Sequence, residues 1–171
     1  IAGPIFQKAG KPFLSIGATD PALPTVVGNQ IFLTCFGDNA QAAAAAEFAH
    51  SEFGNSTAIV WDSRTQYTQT LPKYFRTRFE ELKGQVLLDA SFTDCDLTEL
   101  GKQISSLEQK PAFVYLSAVP DCAGDHISTL RAAGVDVPII GGDGLDTPNV
   151  LKGKSGPNSG VWFTTHTWLS A

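Results

Sequence analysis

Residues 56–92 read STAIVWDSRTQYTQTLPKYFRTRFEELKGQVLLDASF, and this stretch indicates the fold most directly. It contains two short, β-branched apolar runs, at 56–62 and 85–92, on either side of a helical pattern that stops at Gly84. The runs are continuous rather than alternating, which is typical of parallel strands covered on both faces. We expect the helix to start near Pro72, because a first helical turn tolerates proline. The stretch therefore predicts a right-handed βαβ unit.

The same alternation extends along the rest of the chain. Five more apolar runs have the character of strands, and they lie at 11–19, 30–36, 112–118, 137–143 and 160–166. Three further helical patterns lie at 39–54, 96–109 and 120–134. Because strand and helix alternate at least four times, the sequence predicts the α/β class, as a three-layer sandwich around a mostly parallel sheet.

Two of the helical patterns begin with the spacing of a capping box, in which a capping residue precedes a Gln or Glu by three positions. The pairs are Asp38 with Gln41 and Asp96 with Glu99. Gly54 closes the first of these patterns as a C-terminal cap. These signals predict where the helices begin and end.

The N-terminal part does not fit the regular alternation. Residues 1–29 read as the end of a helix, a strand and a long crossover loop that contains prolines. We interpret them as the remnant of a first lobe, followed by a second α/β lobe at 30–171. The chain has no methionine and begins at Ile1, from which we expect a processed product or an internal piece of a longer protein.

The composition argues against several classes of function. Hydrophobic residues make up 43% and charged residues 17% of the 171 positions, as in ordinary globular proteins. The net charge of -5, without any basic run, argues against nucleic-acid binding. No apolar stretch is long enough to span a bilayer, so we expect no direct insertion into a membrane.

The chain contains three cysteines, Cys35, Cys95 and Cys122. Their spacing matches no metal-binding motif, so we expect no metal site. They are either three small buried side chains, or they include a Cys95–Cys122 disulfide, since both residues follow predicted strands. The sequence leaves both alternatives open.

Polar side chains gather where the predicted strands end, which is where open α/β sheets bind ligands. Thr19, Asp38, Tyr67 and Asp143 are among them, and these segments contain no lysine or arginine apart from Arg64. An acidic rim that is rich in hydroxyls suits a ligand with a cationic or hydrogen-bond-donating head better than it suits a phosphate.

The sixth predicted strand runs into the loop GGDG, at 141–144. Its spacing fits neither a P-loop nor a dinucleotide-binding motif. Two interpretations remain. The glycines let the backbone approach a ligand, to which Asp143 presents its charge, or the loop is a tight turn in which Asp143 caps a helix at 147–151.

Two enzymatic interpretations are weak. Ser117, His166 and Asp143 could make a hydrolase triad, but no GxSxG motif holds the serine. Asp62 could accept a phosphoryl group, but that chemistry needs an acidic pair for magnesium and a lysine at a later strand end, which we do not find. We therefore expect no catalytic residues, no cofactor and no enzymatic activity.

Seven segments follow one another in the order of a known family. They are KPFLSIGATDPALP (11–24), FGDNAQAAAAAEFA (36–49), AIVWDSRTQYTQTL (58–71), FTDCDLTELGKQI (92–104), PAFVYLSAVPDCAG (111–124), LRAAGVDVPIIGGDGLDTPNVL (130–151) and GVWFTTH (160–166). Over nearly its whole length the chain resembles type I periplasmic binding proteins. The likeness is strongest to the leucine/isoleucine/valine type of ABC-transporter substrate-binding protein.

The resemblance implies a Venus-flytrap fold with the ligand between two lobes. This chain resembles the second lobe together with the last strand of the first. The implied role is to bind an amino acid or a related small polar molecule outside the cytoplasm, in the periplasm or its equivalent, and to deliver it to an ABC permease in the membrane. A ligand-sensing domain of a receptor or regulator with the same fold is the alternative.

The resemblance also implies roles for individual residues. Thr19 corresponds to a threonine that binds the ligand α-amino group, and Ala18 supplies a backbone contact beside it. Tyr67 corresponds to a tyrosine that closes over the ligand, and Asp143 to the acidic residue that pairs with the ligand ammonium. Asp38 corresponds to an aspartate near the cleft. This role and the interpretation of Asp38 as a helix cap are alternatives.

Two features depart from the family pattern. The family often has a glutamate where Asp143 stands, so the charge here reaches less far. The turn that follows the predicted strand at 112–118 lacks the tyrosines that the family has there. The specificity for the ligand side chain is therefore open.

Overall fold

The structure is a computed structural model, and it describes residues 2–152 and 159–166. Helices and strands alternate along the chain. In order they are α1 Ala2–Lys8, β1 Phe13–Ser15, α2 Leu23–Val27, β2 Ile31–Leu33, α3 Asp38–Glu52, β3 Ser56–Asp62, α4 Gln66–Glu81, β4 Gln85–Phe92, α5 Thr98–Ser106, β5 Phe113–Ser117, α6 Ala123–Ala132, β6 Ile139–Gly141 and β7 Val161–Phe163. Short 3-10 helices span Pro120–Cys122, Asp143–Leu145 and Pro148–Lys152.

The main sheet has five strands in the order β4-β3-β5-β6-β7. Every pairing between its described strands is parallel, from Ser56 beside Gln85 at one edge to Gly141 beside Phe163 at the other. This confirms the predicted α/β class with a parallel sheet. The chain winds to one side of β3 and then to the other, so the strand order reverses between β3 and β5.

Helices cover both faces of this sheet, and alternate residues of its central strands point to opposite faces. On one face, Val60 and Val114 pack with α5 and α6. On the other face, Ile59 and Tyr115 pack with α3 and α4. The continuous apolar runs of the sequence thus reflect a sheet buried on both sides, as expected for the middle of three layers.

The helix α4 begins at Gln66, six residues before the predicted start at Pro72. Its cap is Thr65, whose side chain accepts a hydrogen bond from the Thr68 amide. Pro72 is therefore inside the helix, where it has no N–H to give to the Thr68 carbonyl. The Ser117 hydroxyl donates to that carbonyl instead, at 3.0 Å. This hydrogen bond from β5 explains how a buried helix tolerates an internal proline.

The cap residues of α3 and α5 differ from the predicted ones. They are Gly37 and Leu97, and neither makes a side-chain capping bond. Asp96 lies one residue before the cap of α5 and accepts from the Thr98 amide at 2.9 Å. Asp38 is instead the first residue inside its helix and accepts from the side chain of Gln41 at 2.9 Å. A negative charge in a first turn still favours the helix through the helix dipole.

The other termini follow the sequence more closely. Gly54 ends α3 with φ 126°, and its amide donates to the Ala49 carbonyl. Gly134 ends α6 with φ 87°, and its amide donates to the Arg131 carbonyl at 3.0 Å. The predicted crossover loop in the N-terminal part was wrong in one respect, since it contains the short helix α2, with Pro24 in its first turn.

The N-terminal part forms a second, smaller sheet. Its strands β1 and β2 are parallel, with Phe13 beside Ile31 and Ser15 beside Leu33. The strand β2, placed by the sequence at the start of the second lobe, thus pairs with β1 and not with the main sheet. Large apolar side chains on this pair are exposed, including Leu14 at 62% and Phe32 at 51%.

Cys95 and Cys122 form a disulfide, and Cys35 is free. The bond joins the loop after β4 to the 3-10 helix after β5, and the Cα atoms lie 5.4 Å apart. Of the two alternatives that the sequence leaves open, the structure has the disulfide. Among the residues described, no helix combines the length and the apolar character needed to cross a bilayer.

Candidate functional site

A cleft of about 490 Å³ opens at the carboxyl ends of the central strands. Parallel α/β sheets bind ligands there, where the strand order reverses. One wall comes from the N-terminal part and the other from loops of the main sheet. The lining residues are Gly17, Ala18, Thr19, Asp20, Leu23, Asp38, Gln66, Tyr67, Thr70, Val119, Pro120, Asp143 and Gly144.

The five residues that the sequence selected all lie in this cleft. Ala18, Thr19, Asp38, Tyr67 and Asp143 come from four separate segments of the chain, and the fold brings them around one hollow. Three of the lining side chains in the described part of the cleft are carboxylates, and none is a lysine or arginine. Whether these residues bind a ligand stays a prediction.

The first segment after β1 presents its backbone to the cleft. The Thr19 carbonyl accepts from the Asp38 amide at 2.8 Å, which ties this segment to the start of α3. The thiol of Cys35 donates to the Ala18 carbonyl at 3.3 Å, and the Ala18 amide donates to the hydroxyl of Ser15. Thr19 is 8% exposed, so its position is fixed by the surrounding structure.

Asp38 lines the cleft and is 3% exposed. Burial raises its pKa above the usual range, because a buried carboxylate loses the hydration that favours its charge. Hydrogen bonds from Thr19 and Gln41 act in the opposite direction, and the charges of Asp143 and Asp20 add to the rise. The sequence left the roles of cap and cleft residue open, and the side chain is not a cap.

Tyr67 and Asp143 form the other side of the cleft. The Tyr67 hydroxyl donates to Oδ1 of Asp143 at 2.6 Å and accepts from the Gly144 amide at 3.2 Å. Burial and then the charge of Asp143 raise the pKa of Tyr67, so this phenol stays protonated. The second oxygen of Asp143 contacts Nε2 of His166 at 2.9 Å.

The loop 141–144 owes its glycines to close packing, because its described residues have no positive φ. A Cβ on Gly142 would lie 2.5 Å from Cδ2 of Leu71 and 2.6 Å from the Tyr67 hydroxyl. A Cβ on Gly144 would collide with the carbonyl oxygen of Ala118. The loop thus lets the Asp143 backbone fit against Tyr67. The carboxylate of Asp143 contacts Tyr67 and His166. These contacts differ from the alternative interpretation, in which the carboxylate caps residues 147–151.

Sequence reasoning did not recognise Gln41 as part of the site. Its Oε1 accepts from the Asp143 amide at 3.1 Å and from the Thr164 hydroxyl at 2.9 Å, while its amide group donates to Asp38. One side chain therefore holds the Asp38 carboxylate and the backbone of Asp143 in place. The spacing of Gln41 from Asp38 was a usable signal, but it was interpreted as a capping box.

The geometry does not support the two enzymatic interpretations. Ser117 is fully buried and donates to the Thr68 carbonyl, so its hydroxyl is not presented to the cleft. Asp62 is paired with Arg64, whose Nη2 lies 2.6 Å from Oδ2. Burial alone would raise the pKa of Asp62, but the hydrogen bonds and charge of Arg64 lower it below the usual range. Both groups have structural partners.

The chain is similar in fold to solved substrate-binding proteins. A branched-chain amino acid ABC transporter protein from Rhodospirillum rubrum has 25% identity and a TM-score of 0.80, over 99% of this chain and 49% of that one. The leucine-binding protein LivK from Thermotoga maritima has 27% identity and a TM-score of 0.77, over 88% and 43%. LivJ from Streptococcus pneumoniae, solved with isoleucine, has 23% identity and a TM-score of 0.79, over 97% and 48%.

This chain therefore spans about half the length of these structures or less. It matches no curated protein. The sequence profile of the family described as periplasmic binding protein matches residues 2–170, which is nearly the whole chain. The parallel sheet, the cleft at its carboxyl edge and this profile agree, and the chain belongs to the periplasmic binding protein family.

Proposed function

We propose that the protein is the substrate-binding component of an ABC importer and that it holds an amino acid or a related small polar ligand in the cleft. The observation that carries the proposal is the cleft itself. It lies at the reversal of strand order, and its described charged side chains are Asp20, Asp38 and Asp143. An acidic hollow of this kind favours a ligand with an ammonium group over an anion.

The ligand ammonium would lie between Thr19 and Asp143. The Ala18 and Thr19 carbonyls each keep a free lone pair after accepting one hydrogen bond, and a carbonyl can accept two. Such a position supplies the hydrogen bonds and the paired charge that a buried ammonium needs. Tyr67, held by Asp143, would cover the ligand from the other side of the cleft.

The polar amide of Gln66 extends the site toward the N-terminal part. Its Nε2 donates to Oδ2 of Asp20 at 3.2 Å, across the cleft from one wall to the other. The contact joins the start of α4 to the segment after β1. We propose that this pair belongs to the set of contacts that change when the cleft closes on a ligand.

The chain divides into two lobes in this proposal, and the ligand lies between them. The pairing of β2 with β1 favours a boundary near Gly37, a few residues after the position at 30 that the sequence suggested. Closure of the lobes would sequester the ligand and alter the surface offered to a membrane permease. The family consists of periplasmic binding proteins, so we place this step outside the cytoplasm.

The proposal is tested by calorimetry with pairs of ligands that differ only at the amino group. The purified protein is titrated with neutral α-amino acids and with the matching 2-hydroxy acids, together with benzoate as a carboxylate without an amino group. We expect binding of at least one amino acid and a large loss of affinity for its hydroxy counterpart. Equal affinity for both members of every pair, or no binding to any of them, would refute the proposal.

A further inference from the structure

His126 is a buried histidine whose ring nitrogens lack a well-formed hydrogen bond. Its side chain is fully buried in the second turn of α6, and neither ring nitrogen makes a hydrogen bond of standard geometry to a described residue, although the Asp94 backbone lies near enough to raise the pKa. The ring packs against Phe92 with centroids 4.7 Å apart. Unpaired buried polar groups are rare in native proteins, and each one calls for an explanation such as an ion or a reactive role.

The surroundings keep this imidazole neutral. Burial lowers its pKa below the usual range, although the Asp94 backbone and the charge of Asp62 act in the opposite direction. Arg64 lowers the pKa further through its positive charge. A neutral imidazole has a free lone pair on one ring nitrogen, which is the form that binds metal ions.

Two sulfur atoms lie beside this histidine. Cys122 is the cap residue of α6 and His126 follows four positions later, so both lie on one face of the helix, one turn apart. Cys95 reaches the same place from the loop after β4. The two sulfur atoms and a ring nitrogen of His126 all lie within 4.8 Å of one another. Tetrahedral zinc holds such ligand atoms roughly 3.5–3.8 Å apart, given Zn–S of about 2.3 Å and Zn–N of about 2.0 Å.

We propose that Cys95, Cys122 and His126 form a metal site when their disulfide is reduced, with two thiolates and one neutral imidazole as ligands for a thiophilic ion such as Zn²⁺. The reductant is a dithiol. Thiol–disulfide exchange passes two electrons and two protons to the Cys95–Cys122 pair, and the dithiol becomes a disulfide. The metal ion then replaces the two thiol protons, which leave to solvent. A water molecule or a nearby oxygen completes the tetrahedron.

This assignment explains both unusual features of the cluster. A packed structural histidine usually makes a well-formed hydrogen bond from at least one ring nitrogen, and His126 makes none of standard geometry to the described residues. A structural disulfide needs no imidazole beside it. A site that alternates between a disulfide and a bound metal uses all three residues.

The test uses the purified protein in two redox states. It is reduced with dithiothreitol, separated from the reductant without oxygen, and titrated with Co²⁺ as an optical probe and with Zn²⁺ in competition with a chromophoric chelator. We expect one ion per chain with sulfur-to-cobalt charge-transfer bands, and no comparable binding by the oxidised protein. Cys95→Ser and His126→Gln each remove a proposed ligand, so we expect them to bind Zn²⁺ more weakly by at least about 10–100-fold, the loss typical of removing a mere hydrogen-bond partner of a ligand.

Cys35→Ser is the matched control, because Cys35 is a free, half-buried thiol outside the cluster. We expect its metal affinity to equal that of the unaltered protein. X-ray absorption of the zinc form of the unaltered protein is independent of any folding defect in His126→Gln, and it should show two sulfur ligands and an imidazole. The proposal is overturned if the reduced protein binds no stoichiometric metal, if His126→Gln folds and binds equally well, or if the spectrum lacks the imidazole.

Discussion

The hydroxyl of Tyr67 donates a 2.6 Å hydrogen bond to Oδ1 of Asp143, 76 residues further along the chain. Tyr67 comes from the first turn of α4, and Asp143 follows β6. The bond therefore joins the ends of two strand-to-helix connections across the base of the cleft. Since His166 contacts the other carboxylate oxygen at 2.9 Å, the orientation of Asp143 is fixed before any ligand arrives. Such preorganisation lowers the cost of binding a cationic group.

Substitution of Asp143 tests whether its charge binds the ligand. We expect Asp143→Asn to weaken binding of an amino acid by about 2–5 kcal/mol, the range for removing one member of a buried charge pair. Asp136→Asn is the matched control, because Asp136 is exposed before the opposite end of β6. Calorimetry on both variants measures the difference. Unchanged affinity in Asp143→Asn would show that this residue only shapes the turn.

The Ser117 hydroxyl should stabilise the helix α4 at its proline. Ser117→Ala leaves the Thr68 carbonyl buried without a donor, and we expect a loss of about 1–3 kcal/mol in the free energy of unfolding. In a Pro72→Ala background the new amide N–H of residue 72 can donate to Thr68. The cost of Ser117→Ala should therefore be smaller there by at least about 0.5 kcal/mol. Urea unfolding of the four proteins completes the cycle, and strict additivity would disprove the link.

Asp62 should stabilise the protein above its unfolded pKa. The folded-state pKa is lowered, since Arg64 outweighs the effect of burial, so the folded state binds its proton less tightly than the unfolded state. The contribution is present above pH of about 3.9 and is lost as the pH falls through the folded-state value. At pH 7 we expect Asp62→Asn to cost about 1.5–3 kcal/mol, toward the lower end because Arg64 is 43% exposed. In urea titrations, the loss of unfolding free energy caused by Asp62→Asn should be smaller at acid pH. A loss that is the same at all pH values would show that the lowered pKa of Asp62 is not its origin.

Asp38 should behave in the opposite way. Its folded-state pKa is raised, chiefly by burial, so its stabilising contribution exists below pH of about 3.9 and is lost as the pH rises through the folded-state value. Asp38→Asn keeps an oxygen that can accept from Gln41 and removes the buried charge. We expect the variant to be more stable than the original protein at pH 7 and to gain less, or nothing, at pH 3. A variant that is less stable at pH 7 would show that the charge itself is needed.

Much of the fold was predictable because strands of a sheet that is buried on both faces have continuous apolar sequences. The runs at β3 and β4 are continuous and apolar, and their predicted bounds match the strands. The preference of proline for the first helical turn gave the wrong start for α4. Pro72 can lie inside the helix because the hydroxyl of Ser117, which is distant in sequence, donates to the Thr68 carbonyl. Local capping rules likewise failed at Asp38, where tertiary contacts with the cleft decide the role of the side chain.

The site was predicted from a different kind of signal. Strand ends placed Tyr67 and Asp143 at one edge of the sheet, and the family resemblance selected them there. Gln41 was not predicted because its contacts are with Asp38, Asp143 and Thr164, which belong to three separate segments. Local sequence spacing does not reveal contacts of this kind. The clustering of His126 with the two cysteines was hidden for the same reason, since Cys95 lies 27 residues before Cys122.

The disulfide should contribute to stability by restricting the unfolded chain. Its cysteines are 27 residues apart, for which the loop-entropy relation gives about 3–4 kcal/mol. We expect the reduced protein to lose about this much in urea unfolding relative to the oxidised protein, with a chelator present so that no metal replaces the bond. Cys35→Ala should show the same loss on reduction, because its thiol lies outside the pair. The double variant Cys95→Ala/Cys122→Ala should be indifferent to reductant. Equal stability of the oxidised and reduced protein would mean that the native contacts around α6 hold these two loops together without the bond.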